Sequence, residues 1–273
     1  MKNVPIAYQV YSARDEAQEN LQAVLCQLKE LGYDGVEFAG FYGHSAQEVK
    51  TMLEECDLKA VSSHVALVDI EADMEGVIAY HKEIGCKYIA IPFLSADRRP
   101  GTAGFASVIR TMYKFGKLCQ ANGIQMLYHN HDFEFVSFSD MYGLDFIYEA
   151  VPPCLLKTEI DVCWVKYAGV NPAEYLRKYA GRAPVVHLKD FVGRKEGDAT
   201  PYGLLGESET NGDVPFEFRP VGHGCQNVSE VVEAGIEAGA EWFVVEQDRS
   251  VGRTPLEAAA MSIETLKKIG LKI

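Results

Sequence analysis

The 273-residue sequence predicts an α/β protein folded as a closed (β/α)8 barrel. Three observations carry that expectation. Short, nearly all-apolar runs alternate with amphipathic stretches, the pattern of a parallel sheet covered by helices. The runs recur about every 30 residues, the length of one strand–helix unit, and eight such units fill the chain as a single domain over 1–273. No Gly-x-Gly-x-x-Gly turn follows the first run, where Gln9-Val-Tyr-Ser-Ala-Arg14 stands instead. An open doubly wound sheet, the competing architecture, therefore lacks its phosphate-binding turn.

Taken in order, Ile6–Gln9 is the first strand. A helix over 15–31 puts Leu21, Val24, Leu25, Leu28 and Leu31 on one face and stops at Gly32, suited to a left-handed cap. Gly35–Phe38 follows as the second strand. A helix over 45–56 leads into Lys59–His64, one over 71–84 with Gly85 into Tyr88–Ile91, and one over 104–122 with Gly123 into Gln125–Asn130. A helix over 140–150 precedes Leu155–Ile160, one over 172–180 with Gly181 precedes Val185–Leu188, and one over 227–238 with Gly239 precedes Trp242–Val245. Thr254-Pro255 opens a closing helix to 269 as a cap and first-turn proline.

Residues 191–226 break this rhythm. They hold Gly193, Gly197, Pro201, Gly203, Gly206, Gly212, Pro215, Pro220, Gly222 and Gly224, with little apolar periodicity. A loop of that length after the seventh strand reads as a lid or substrate-binding arm, the alternatives being a surface insertion or an oligomer contact. The net charge of −13 offers no basic face for nucleic acid. No signal peptide or membrane-length apolar run is present. Seven scattered cysteines (Cys26, Cys56, Cys86, Cys119, Cys154, Cys163 and Cys225), odd in number and never Cys-x-x-Cys, argue against a disulfide scaffold or zinc knuckle. A reducing, cytoplasmic setting is expected.

In a (β/α)8 barrel the chemistry lies at the C-terminal strand ends. Those ends supply Gln9, Glu37, His64, His129 with Asn130 and His131, Asp161, His187 with Lys189, and Glu246. Glu134, just past the fifth strand, can fold back to the same mouth, and strand four offers only Pro92, leaving room for a substrate. A mixed set of imidazoles and carboxylates is what a catalytic divalent ion needs. Several members have an ordinary reading as well. His64 after Ser62-Ser63 is either a ligand or a core histidine, Glu37 a substrate contact or a rim ion pair, and Trp164 an aromatic wall or packing. Lys189 is an electrophile or a solvated cation, and Arg253 an anion contact or a surface salt bridge. His44 and His81 read as surface residues, and His223 has no assigned role.

The segments Tyr128-His-Asn-His-Asp-Phe-Glu-Phe135, Asp161-Val-Cys-Trp164 and His187-Leu-Lys-Asp190, with Glu246 on the last strand, resemble the xylose isomerase-like TIM barrels. That sugar phosphate isomerase/epimerase superfamily also includes inosose dehydratases, hydroxypyruvate isomerases and endonuclease IV, and the resemblance spans essentially the whole chain. It implies one Mn2+, Mg2+, Co2+ or Zn2+ ion held by Glu, Asp, His and Glu at four strand ends, with Asp161, His187 and Glu246 filling three places. Many relatives carry Glu-Asn-His where this chain has His129-Asn130-His131, so the fourth ligand is either His129 or Glu134. The resemblance further implies proton abstraction beside a carbonyl of a sugar or keto-polyol. Glu246 and His131 would transfer protons, Lys189 would assist, and Gln9, Glu37, His64, Trp164 and Arg253 would contact substrate. Isomerisation or epimerisation is the expected outcome, and loss of a hydroxyl as in a dehydratase is the alternative. A nuclease would need a basic groove, and a non-catalytic sugar-binding barrel would have no use for the metal set. No Gly-rich phosphate loop stands out, which favours a non-phosphorylated substrate, and the 191–226 arm suggests a homo-oligomer.

Overall fold

The structure is a computed structural model that describes residues 4–138, 140–195, 201 and 215–271. Eight parallel strands form the barrel: β1 (Ile6–Gln9), β2 (Gly35–Ala39), β3 (Lys59–His64), β4 (Tyr88–Ile91), β5 (Gln125–His129), β6 (Leu156–Asp161), β7 (Val185–Leu188) and β8 (Trp242–Val245). Each pairs with its sequence neighbours, and β8 pairs with β1 to close the cylinder. Closure leaves no free sheet edge, so the strands are buried on both faces and are largely apolar up to their C-terminal ends.

Helices cover the outside: α1 (Arg14–Leu31), α2 (Ala46–Glu55), α3 (Leu67–Ala72), α4 (Met74–Glu83), α5 (Phe105–Ala121), α6 (Gly143–Ala150), α7 (Val162–Tyr167), α8 (Pro172–Lys178), α9 (Val228–Ala238) and α10 (Pro255–Lys268). Outward strand residues such as Ile6, Tyr8, Val36 and Phe38 pack with Leu21, Val24, Leu25 and Leu28 of α1 in one continuous core. None of these helices is long and apolar enough to cross a membrane.

Inside the barrel, Ala7, Val61, Tyr88, Ala90, Leu127, Val185 and Val244 form a separate apolar plug. Two residues further along most of the strands, the period of two returns a side chain to the same interior, now a polar one. The register sets these polar residues level with one another: Gln9 lies opposite Glu37, His129 opposite Glu159, and Asp161 opposite His187. A register shift between Val36 and Glu37 against β3 lets Ser62 and His64 join them.

The structure departs from the sequence reading at identifiable points. The helix expected over 71–84 is two helices, because Asp73 leaves the helical region and caps α4 by accepting from Gly76 N at 2.8 Å. The helix expected from 140 starts at Gly143, after a small hairpin of Ser137–Phe138 and Met141–Tyr142. His81, expected at the surface, is buried with Nδ1 2.6 Å from Val77 O and its ring edge-on to Phe41. Cys26 and Cys56 are joined in a disulfide tying α1 to the end of α2, which the scattered spacing did not suggest.

The 191–226 stretch is not a plain loop. Asp190–Gly193 pairs antiparallel with Phe216–Arg219, forming the two-stranded base of an arm, and Phe191, Phe216 and Phe218 of that base are buried. The expected loop over 196–200 and 202–214 lies outside the described residues.

Gly35 marks how closely the barrel floor is packed. A Cβ there would lie 2.7 Å from Val61 Cγ2 and 2.8 Å from Lys59 O. Gly35→Ala is expected to destabilise the fold by about 1–3 kcal/mol through overpacking, measured by urea unfolding. An unchanged midpoint would show that the floor yields freely.

Candidate active site

The mouth of the barrel opens into a cavity of about 430 Å³ lined by Tyr11, His64, Pro92, Phe93, His129, His131, Lys189, Glu246 and Asp248, among others. Pro92 and Phe93 follow β4, which ends without a polar side chain, and line the cavity on that side. At its floor, ligand atoms of His129, Asp161, His187 and Glu246 all lie within 4.8 Å of one another. His187 Nδ1 is 3.1 Å from Glu246 Oε2, and His129 Nε2 is 3.8 Å from Asp161 Oδ2. Asp161 also caps α7, accepting from Cys163 N at 2.8 Å and Trp164 N at 3.1 Å through Oδ1. That double acceptance fixes the carboxylate plane and leaves Oδ2 buried without a hydrogen-bond donor. Two imidazoles, two carboxylates and one such orphaned oxygen fit a divalent first-row ion, with a donor set suited to Zn2+ or Co2+.

A second layer lies beneath. Glu37, on β2, is within 2.7 Å of His187 Nε2 and 2.9 Å of His64 Nε2, and accepts from Gln9 Nε2 at 2.6 Å and from Ser62 Oγ. Glu159, on β6, is 2.8 Å from His187 Nε2 and 2.7 Å from His64 Nε2. To one side, Lys189 Nζ sits 2.7 Å from Glu246 Oε2, 2.8 Å from Asp248 Oδ2 and 3.5 Å from Asp161 Oδ2.

Burial alone would neutralise these groups, and their pairing decides which stay charged. Desolvation works to raise Glu159, yet the His187 and His64 rings beside it hold it well below the usual carboxylate range. Desolvation likewise opposes charge on His64, but Glu37 and Glu159 lift it to about 10, and the same carboxylates raise His187 well above its ordinary value. Against the same penalty, Lys189 and His187 keep Glu246 ionised. His131 is different. Burial, reinforced by His129 and Lys189, depresses it well below its ordinary value and holds the ring neutral. Burial also pushes Asp248 up to about 7 despite Lys189.

The structure brings together most of the strand-end residues and separates others. His129, His131, Lys189, Glu246 and His64 reach the cavity, with Asp161, His187 and Glu37 just below its surface. Gln9 is buried and orients Glu37 rather than facing the cavity. Trp164 is fully buried behind His131, their ring centroids 5.1 Å apart, so the aromatic cavity wall is Phe93 and Tyr11 instead. Arg253 sits in the turn before α10 and does not line the cavity. Glu159 and Asp248 were not anticipated. The signal for both was present: Glu159 stands two residues before Asp161, and Asp248 two after Glu246, positions that face the same way along an extended chain.

Glu134 does not join the ligand cluster. Its Oε1 accepts from Tyr128 Oη at 2.6 Å and its Oε2 from His131 N at 2.8 Å, so it braces the His129–His131 corner. Burial raises it from the ordinary 4.5 to about 8. The folded protein therefore keeps a proton that the unfolded chain gives up, and the associated stability, full below about pH 4.5, is lost as pH rises towards 8. Glu134→Gln can keep both contacts, donating to Tyr128 and accepting from His131 N. Its unfolding free energy should gain on the wild type's between those pH values in urea titrations, with bound metal unchanged. Parallel pH curves, or lost metal, would contradict this placement.

Residues 25–269 match the family model described as xylose isomerase-like TIM barrel. Among solved structures, a sugar phosphate isomerase/epimerase from Parabacteroides distasonis aligns with a TM-score of 0.79 at 20% identity, covering 99% of this chain and 96% of that one. The probable 3-DHS dehydratase AsbF from Bacillus anthracis aligns at 0.75 with 11% identity, over 96% and 98%. The IolI protein, solved with a binding zinc atom, aligns at 0.73 with 16% identity, over 97% of each chain. At such identities these likenesses are of fold. No curated protein sequence matches the chain. The closed eight-stranded barrel and the family match over most of its length agree, and the chain belongs to the xylose isomerase-like TIM-barrel family.

Proposed function

We propose that the protein is a divalent-metal-dependent enzyme that abstracts a proton beside a carbonyl of a sugar or keto-polyol and returns it as an isomerase or epimerase. The observation that carries this reading is the convergence of His129, Asp161, His187 and Glu246 at the floor of a cavity walled by His131 and Lys189. Similar folds, among them sugar phosphate isomerase/epimerases and a zinc-bound relative, support the same class. When bound, the ion supplies Lewis-acid polarisation of the carbonyl oxygen.

The chain's own residues supply the rest. Asp161 is pinned by the first amides of α7, and His187 is oriented by Glu37 and Glu159 against its far nitrogen. Glu246, held ionised, is placed to take the substrate proton. His131 has a neutral ring on the cavity wall and relays a proton between neighbouring positions. The Lys189 ammonium beside Glu246 lies where it can stabilise a developing oxyanion.

One observation favours elimination as a second reading. Asp248 lines the cavity, and its carboxyl, pushed up to about 7, carries a proton part of the time at neutral pH. A protonated acid there suits the departure of a β-hydroxyl as water, the outcome of a dehydratase.

The test is proton exchange from D2O into a panel of ketoses and inososes, followed by NMR. Exchange should require Mn2+, Co2+ or Zn2+, disappear after EDTA treatment and return on adding the ion. His131→Gln should slow it by about 10²–10⁴-fold while bound metal stays constant. Products that keep their water identify the isomerase or epimerase, and products that have lost it identify the dehydratase. Metal-free protein that exchanges as fast as the loaded form would end the proposal. Asp248→Asn should slow dehydration selectively, and an unchanged rate of water loss would remove Asp248 from that reading.

A further inference from the structure

Below the cavity floor, four atoms close into a ring: Glu37 Oε1, His64 Nε2, Glu159 Oε1 and His187 Nε2. Its sides are 2.9 Å from His64 to Glu37, 2.7 Å from His64 to Glu159, 2.8 Å from Glu159 to His187 and 2.7 Å from His187 to Glu37. Hydrogen bonding does not fully account for it. Each ring nitrogen carries at most one hydrogen, so two hydrogens serve four close N···O contacts. Glu37 has further donors in Gln9 and Ser62, but Glu159 Oε2 is buried with no hydrogen-bond partner. Nor does His129 Nδ1 have one, and it lies 3.4 Å from Glu159 Oε1.

The donor set suits an ion instead. Two imidazole nitrogens and two carboxylate oxygens are Zn2+ or Co2+ ligands, and a tetrahedral ion with bonds of about 2 Å holds neighbouring donors about 3.3 Å apart, so the ring would open by roughly half an ångström to admit one. His64, Glu159 and His187, with His129, also bring their ligand atoms within 4.8 Å of one another. His64 lines the cavity, which gives the ring an entry path.

We propose that this ring is a second divalent-cation site of Zn2+ or Co2+ type, held by Glu37, His64, Glu159 and Nε2 of His187. Because Nδ1 of His187 faces the His129–Asp161–Glu246 cluster, His187 bridges the two sites, and only that bridging role rests on the proposed function. Filling the ring displaces its hydrogens, so uptake releases protons to solvent.

Equilibrium dialysis of chelator-stripped full-length protein against ZnCl2, with elemental analysis, tests the proposal. Circular dichroism and thermal melts serve as folding controls. Wild type should hold two equivalents. His64→Gln and Glu159→Gln should each hold one, Asp161→Asn should hold the other, and the His64→Gln/Asp161→Asn double variant should hold none. Two substitutions on different strands guard against one of them failing to fold. A single wild-type equivalent that survives His64→Gln and Glu159→Gln but not Asp161→Asn would overturn the second site and leave the proposed function standing. A single equivalent kept by Asp161→Asn and lost in the ring variants would uphold the ring and remove the upper metal centre. One equivalent lost in every variant, or none in the wild type, would overturn the ring as a separate site.

Discussion

Five carboxylates, those of Glu37, Glu159, Asp161, Glu246 and Asp248, are held out of water in the upper half of one barrel, and compensating them is the constraint that organises this protein. An isolated buried carboxylate would simply take up a proton. Here His64, His187 and Lys189 stand against them at salt-bridge distance, with Gln9 and Ser62 adding neutral donors to Glu37. The outcome is uneven. Glu159 and Glu246 remain anionic between cations, whereas Asp248, pushed up to about 7, is protonated part of the time at neutral pH. Removing one partner from such a network leaves the other exposed to the full desolvation cost, so the cluster is stable only as a whole.

The barrel makes this concentration of charge possible. Its lower interior is filled by Ala7, Leu127, Val185 and their neighbours, which exclude water from below. Its upper interior receives one polar side chain or more from most strands, at levels set by the pairing register. The arm after β7 covers one side. Asp190 organises its base by accepting from the backbone nitrogens of Phe191, Gly222, Gly224 and Gln226. Gly224 is needed there because a Cβ would lie 2.3 Å from Asp190 Oδ1. Lys195 extends the arm towards β5 through Asp132 at 2.6 Å, and Phe216 stacks on Trp164 behind His131. Trp164, which packs against His131, is thus itself backed by a segment far along the chain.

Much of this was legible from the sequence. All eight barrel strands fall within a residue or so of their expected positions, because each is a short apolar run bracketed by amphipathic helices and helix-stopping glycines. The errors lie where local signals were weak or doubled. Asp73 breaks a helix whose apolar pattern runs on, α7 is a single turn and a half hidden behind a strand, and the Phe216–Arg219 strand sits in a glycine-rich stretch. At the site, polar strand ends identified His129, Asp161, His187 and Glu246 as neighbours. Glu159 was passed over because it lies inside its strand rather than at the end.

By itself, the sequence determined the periodicity, and with it the fold and the set of inward-facing polar residues, since alternation along a strand is a local property of the backbone. Only the tertiary structure decided how those residues divide. It turned Glu134 onto Tyr128 and away from the ligand cluster, buried Trp164, joined Cys26 to Cys56, and closed Glu37, His64, Glu159 and His187 into one ring. Those outcomes depend on which strands become neighbours when the barrel closes and on how far each is sheared against the next. They arise from contacts between residues as far as 150 positions apart, such as Glu37 and His187, and no local pattern encodes them.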